Sequence, residues 1–167
     1  PGAANPFDFS GKVVLVTGSG KGIGRGIALR FAEVGASVAV HYRSSKAGAD
    51  ELASEISRQG KAEAFQADLA SEQEADRLIS QVEQRLGIPD VLINNAGEYP
   101  RSTLLEMSAE EWERVVAANL RSVFLVTRAA ARRMADRGSG GVILNIATIE
   151  AGFPAPGHSH YTAAKAG

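Results

Sequence analysis

Five short runs rich in β-branched and apolar residues recur along the chain: "KVVLVTG" from Lys12, "SVAVHY" from Ser37, "AEAFQAD" from Ala62, "DVLINNAG" from Asp90 and "GVILNIAT" from Gly141. Their apolar character is nearly continuous rather than alternating, the pattern of strands covered on both faces. Segments with helical spacing lie between them. Ile23 to Val34 places Ile27, Phe31 and Val34 on one stripe. Ser71-Glu72-Gln73-Glu74 reads as a capping box for a helix running towards Leu86, and Ser108-Ala109-Glu110-Glu111 opens another. Strand alternating with helix predicts an α/β fold, a doubly wound parallel sheet of right-handed crossovers. No repeat, low-complexity tract or linker divides the sequence, so one domain over residues 1–167 is expected.

Composition narrows the class. A chain of 167 residues with 44% hydrophobic content buries a real core and is not disordered. Its 18 basic and 19 acidic residues balance to −1, which offers neither a nucleic-acid surface nor a polybasic membrane patch. The absence of cysteine excludes disulfides and thiolate metal sites and fits a cytoplasmic location. No apolar run approaches a membrane span. The opening "PGAANPFDFSGK" lacks a signal-peptide pattern, its first few residues reading as an extraneous remnant or a frayed arm.

The segment "WERVVAANLRSVFLVTRAAARRM" carries Val115, Val116, Leu120, Val123, Phe124, Leu125 and Val126 around more than one face. A helix apolar on several sides is covered on several sides. One side is expected to face the sheet. The rest points to a partner subunit, a homo-oligomer (dimer or tetramer), with a denser local core as the alternative.

"TGSGKGIG", Thr17 to Gly24, follows the first strand and opens the first helix. Glycine there serves any tight strand-to-helix turn. In this context it also reads as a dinucleotide cradle. Gly18 allows the turn, while Gly22 and Gly24 let a pyrophosphate and the strand approach a helix N-terminus whose free N–H groups favour an anion. The expected fold is therefore Rossmann-type. At the end of the second strand an NAD-preferring site places a carboxylate roughly 20 residues past the glycines. This chain has "HYRSS" instead, with Arg43 placed for a 2′-phosphate and Lys21 able to reach the same group. Either alone reads first as an ordinary solvated surface charge. Together with the missing acid they favour NADP(H), with NAD(H) as the alternative.

With these marks the chain resembles the short-chain dehydrogenase/reductase family from about Phe9 to the last residue. The resemblance rests on "TGSGKGIG", Asp68 ending the third strand, "NNAG" (Asn94 to Gly97), Asn119 in the long helix and "YTAAK" (Tyr161 to Lys165). It implies a cofactor set of Gly18, Ser19, Lys21, Gly22, Ile23, Gly24, Tyr42, Arg43, Asp68, Leu69, Asn95, Ala96, Gly97, Tyr161 and Lys165. Asp68 and Leu69 would touch adenine, and the "NNAG" backbone would close the adenosine pocket. Asn119 would be the helix-distorting asparagine that holds a water beside the catalytic lysine.

Tyr161 and Lys165 stand at i and i+4, on one helix face. A nearby ammonium favours the phenolate and lowers the phenol's pKa, so that Tyr161 can exchange a proton with a carbonyl or alcohol oxygen. The bland reading of the pair is an amphipathic tyrosine with a snorkelling lysine. The family's third catalytic member is a serine thirteen residues before the tyrosine, and Thr148 falls on it, with Ala147 beside it. Threonine keeps the hydroxyl but adds a methyl that restricts χ1. The resemblance implies hydride transfer between a nicotinamide and a small carbonyl or secondary alcohol, of 3-oxoacyl, sugar or simple alcohol type. The alternatives are a catalytically weak nucleotide-binding sensor or scaffold, and an inactive fragment. "EAGFPAPGHSH" supplies Glu150, Phe153, His158 and His160 as a cleft wall. No third histidine or carboxylate completes a metal site, and none is expected. With five strands and a last helix of about seven residues, the sequence reads as the N-terminal two-thirds of such an enzyme.

Overall fold

The computed structural model describes residues 7–167, and the N-terminal remnant or arm anticipated above lies outside the described residues. The five apolar runs form β1 (Val13–Val16), β2 (Ser37–Tyr42), β3 (Lys61–Gln66), β4 (Val91–Asn94) and β5 (Val142–Asn145). They pair in parallel in the order β3-β2-β1-β4-β5. Helices α1 (Gly22–Glu33), α2 (Lys46–Ile56), α3 (Glu72–Arg85), α4 (Ala109–Val116), α5 (Ser122–Asp136) and α6 (Ser159–Ala166) complete the chain. The expected doubly wound α/β sheet is thus the observed one.

Strand alternation sorts side chains into two layers. Val14 and Val16 pack with Val38, Val40, Ala28, Leu52 and Ile56, the layer under α1 and α2. Leu15 and Leu92 pack with Leu78, Ile79, Val82, Val126 and Met134, under α3 and α5. Fully burying each such aliphatic side chain contributes roughly 1.5–3 kcal/mol. β5 departs from the two-face expectation. It is an edge among the described residues, and its Val142 and Leu144 are half exposed.

Three local features differ from the sequence reading. α2 was not marked out by its sequence, because alanine makes up half of its buried face (Ala49 and Ala53 beside Leu52 and Ile56), and Ser45 at its N-cap makes no side-chain cap bond. Ser71 Oγ accepts from Glu74 N as expected (3.4 Å), but the Glu74 carboxylate accepts from Asp68 N (2.7 Å) instead of closing the box on Ser71. The helix opened by Ser108, whose Oγ accepts from Glu111 N (3.1 Å), is interrupted by a π-helical turn over Ala117–Arg121. Inside that turn Asn119 Nδ2 donates back to Val115 O at 2.9 Å. A side chain that occupies a backbone carbonyl in mid-helix favours such an extra-residue bulge.

Candidate active site

The chain steps outward from β1 to β2 and β3, then returns to β4 on the other side of β1. A crevice opens where the order reverses, above the carboxyl ends of β1 and β4. The glycine loop lies there. Gly18 and Gly22 adopt φ of +64° and +58°, left-handed values that glycine takes without strain. A Cβ on Gly24 would stand 2.4 Å from Asn95 Nδ2 and 2.7 Å from Gly18 O, whereas one on Gly22 would meet nothing within 4 Å. Gly24 therefore permits the close approach of helix and loop, while Gly22 leaves space in front of the α1 N-terminus. The "NNAG" turn is stitched to this loop. Thr17 Oγ1 accepts from Asn95 N and Ala96 N, both at 2.9 Å, and Asn95 Nδ2 donates to Thr17 O at 2.8 Å. Asn94 Nδ2 bonds Thr127 Oγ1 and Asn145 Oδ1, joining β4 to α5 and β5.

A cavity of about 680 Å³ fills the crevice, within the range of small-molecule and cofactor sites. Its walls include Gly18, Lys21, Gly22 and Ile23 from the loop; Tyr42 at the end of β2 and Arg43 after it; Asp68 and Leu69 after β3; and Asn95, Ala96 and Gly97 after β4. The structure thus brings eleven of the fifteen anticipated cofactor residues around one space. Ser19 and Gly24 lie behind it. Ser19 is fully buried, its hydroxyl donating to Val16 O (2.8 Å) and accepting from His41 N (3.1 Å), so that side chain is turned away from any nucleotide. Asp68 Oδ1 accepts from Ala70 N at 3.0 Å in its own turn. Arg43 is not a free cation: it pairs with Glu98 Oε1 at 2.7 Å, and Glu98 also pairs with Arg114. Because Arg43 follows β2 and Glu98 follows β4, this ion pair spans the crevice above β1.

Thr148, Tyr161, Lys165 and Asn119 lie outside that cavity, around the loops after β4 and β5. Thr148 Oγ1 accepts from Glu150 N at 3.3 Å and caps the short 3-10 turn Ile149–Ala151. Tyr161 and Lys165 share one face of α6. Lys165 Nζ donates to Ile146 O (2.8 Å) and sits 5.9 Å from the Tyr161 ring centroid. Burial pushes the lysine's pKa below its ordinary value. Asn119 is buried. Its Nδ2 donates to Glu98 O and Val115 O, both at 2.9 Å, and its Oδ1 accepts from Glu98 N at 3.2 Å. The π turn is thereby tied to the loop that closes the cavity.

Three participants carried no sequence signal of their own. Tyr99 lines the cavity, packs edge-on to Tyr161 (centroids 4.6 Å), stacks on His158 (4.1 Å) and donates its hydroxyl to Glu150, a bond that raises its phenol pKa. It connects the cavity to the Tyr161 region. Glu98 and His41, the latter bonded to the glycine loop, were legible only as a loop acid and a strand residue. His158 occupies the N-cap position of α6, with Nδ1 3.1 Å from Pro100 O, and His160 is buried 3.5 Å from Glu111 Oε1. Among the described residues no helix is long and apolar enough to cross a membrane.

Comparison with known proteins matches this geometry. Residues 12–167 fit the profile of the short chain dehydrogenases. A short-chain type dehydrogenase/reductase of Picea abies is 39% identical, the alignment covering 95% of this chain and 61% of the relative. A 3-oxoacyl-[acyl-carrier-protein] reductase of Synechocystis is 40% identical, covering 95% and 64%. The crystal structure of a dehydrogenase/reductase from Sinorhizobium meliloti superposes with a TM-score of 0.90 at 36% identity, over 96% of this chain and 63% of that one. The chain thus spans about three-fifths of the length of the curated relatives it matches. It belongs to the short chain dehydrogenase family.

Proposed function

We propose that this chain is the dinucleotide-binding domain of an NADP(H)-preferring oxidoreductase acting on a small carbonyl or secondary alcohol. The observation that carries the reading is the cavity at the switch point. Its floor is the N-terminus of α1 behind Gly22, where an added Cβ would meet no protein atom within 4 Å, and its β2 wall ends in Arg43 with no carboxylate. These residues fit a dinucleotide: the α1 N-terminus and Lys21 for the pyrophosphate, Arg43 and Lys21 for a 2′-phosphate, Asp68 and Leu69 for adenine. When bound, the cofactor supplies or accepts the hydride. Tyr161 exchanges the proton with the substrate oxygen, and Lys165 stands beside its ring on the same helix face. Thr148 Oγ1 accepts from the Glu150 amide and keeps its own proton to donate to the same oxygen, and Asn119 holds the loop that faces them.

One named relative is a 3-oxoacyl-[acyl-carrier-protein] reductase. That substrate class is the first to test here, with sugars and simple alcohols beside it. A cytoplasmic homo-oligomer, dimer or tetramer, completes the proposal; Phe124, 56% exposed beneath Arg128 on α5, supports a partner on that helix. The function is tested by NADPH-dependent turnover of a carbonyl panel by the protein carrying this chain. Tyr161→Phe lowers kcat by about 100-fold or more. Unchanged turnover removes Tyr161 from the chemistry. Tight NADPH binding without turnover of any carbonyl favours the sensor reading.

A further inference from the structure

We infer that His41 is the positioning residue of the cofactor site: it fixes the glycine loop from strand β2 and ties it to the opposite wall of the cavity. The inference rests on the dinucleotide reading above. His41 is 2% exposed and makes four hydrogen bonds, each to a segment that borders the crevice. Its backbone N–H donates to Ser19 Oγ (3.1 Å), and its carbonyl accepts from Ser19 N (3.0 Å). Its Nδ1 lies 3.0 Å from the Gly18 amide nitrogen and its Nε2 lies 3.0 Å from Ala67 O. The partners assign the tautomer. Nδ1 faces an N–H and must be the bare acceptor; Nε2 faces a carbonyl and must carry the proton.

The connection matters because of what the two ends are. Gly18 is the turn residue of the phosphate loop, held at φ +64° with its Cα so close to Ala96 that no Cβ fits. Ala67 immediately precedes Asp68, on the adenine side of the same cavity. A loop of glycines loses much conformational freedom on becoming ordered. His41 supplies a rigid acceptor for it before any ligand arrives, so binding does not carry that ordering penalty. Leaving the Gly18 amide without an acceptor orphans a partly buried donor, a change worth about tenfold in an equilibrium constant.

The two side-chain bonds separate experimentally. In His41→Asn the amide oxygen replaces Nδ1 and keeps the Gly18 bond while losing Ala67. In His41→Gln the amide nitrogen replaces Nε2 and keeps Ala67 while losing Gly18. His41→Leu loses both at similar volume. NADPH affinity of the purified chain is measured by fluorescence titration, with Tm determined for each variant. We expect His41→Gln and His41→Leu to bind about tenfold more weakly. His41→Asn should rescue most of that loss, although its Tm falls as far as that of His41→Gln. Equal affinity of the Asn and Gln variants, or affinity that merely tracks Tm, overturns the positioning role while leaving the nucleotide site intact. Failure of the unmutated chain to bind either NADPH or NADH refutes the underlying functional reading instead, and this inference with it.

Discussion

His41 also sets a pH dependence that can be worked from the structure. Burial lowers its pKa from 6.5 to about 4, against smaller raising effects of the Ala67 bond and the nearby Asp68 charge. The folded protein therefore keeps a neutral imidazole through a range in which the unfolded chain is already protonated. Above about pH 6.5 this residue contributes no slope; from there down to about pH 4 the unfolded state binds the extra proton and stability falls. The full difference corresponds to about 3 kcal/mol, most of it already lost near pH 4.5. Native carboxylates titrate in part of the same window, so the comparison must be with a variant that cannot titrate. Urea unfolding of the wild type and of His41→Asn, at about pH 7 and about pH 4.5, isolates it. The wild type should lose about 2–3 kcal/mol more than the variant on acidification. If both lose the same amount within about 0.5 kcal/mol, the imidazole is not held neutral by its surroundings, and the assignment of its two bonds fails.

Other consequences are equally direct. A Cβ on Gly97 would stand 2.4 Å from Asn119 Oδ1, so Gly97→Ala should destabilise by about 1–3 kcal/mol in urea unfolding; a change under about 0.5 kcal/mol would mean the loop yields freely. Glu98 holds Arg43 across the crevice, so Glu98→Gln should raise NADPH affinity two- to fivefold, roughly the worth of one exposed ion pair, and a fall would assign Glu98 to cofactor binding instead. Tyr99→Phe removes the hydroxyl that Glu150 accepts while keeping the ring packed between His158 and Tyr161. It should shift KM across a carbonyl panel with little change in NADPH affinity, and an affinity loss above about tenfold would place Tyr99 on the cofactor side.

Strand positions are legible because continuous apolar runs rich in valine, such as Val13–Val16 and Val38–Val40, admit few other structures. The glycine loop was legible because Gly18, Gly22 and Gly24 hold places that other residues fill only with strain or collision. What failed to show was what depends on distant partners. Asn119 announced a distortion, but not that its amide would be taken up by the backbone of Glu98, 21 positions earlier. His41 sits in "SVAVHY" as one more strand residue, and its bonds to Gly18 and Ala67 exist only once three strands align. In the sequence Arg43 reads as a 2′-phosphate contact or an ordinary surface charge, because its pairing with Glu98 across β1 is a matter of strand order rather than of spacing. α2 escaped because an alanine-rich face gives a weak stripe, yet Ala49, Leu52, Ala53 and Ile56 all lie in the core.

The cavity at the switch point is proposed as a dinucleotide site that prefers a 2′-phosphate. Parallel titrations of the chain with NADPH and NADH test it most directly, repeated with Arg43→Ala. Saturable NADPH binding, about tenfold or more tighter than NADH, with Arg43→Ala levelling the two, is the predicted result. Equal or tighter NADH binding would contradict the role given to Arg43, and no saturable binding of either nucleotide would contradict the site itself.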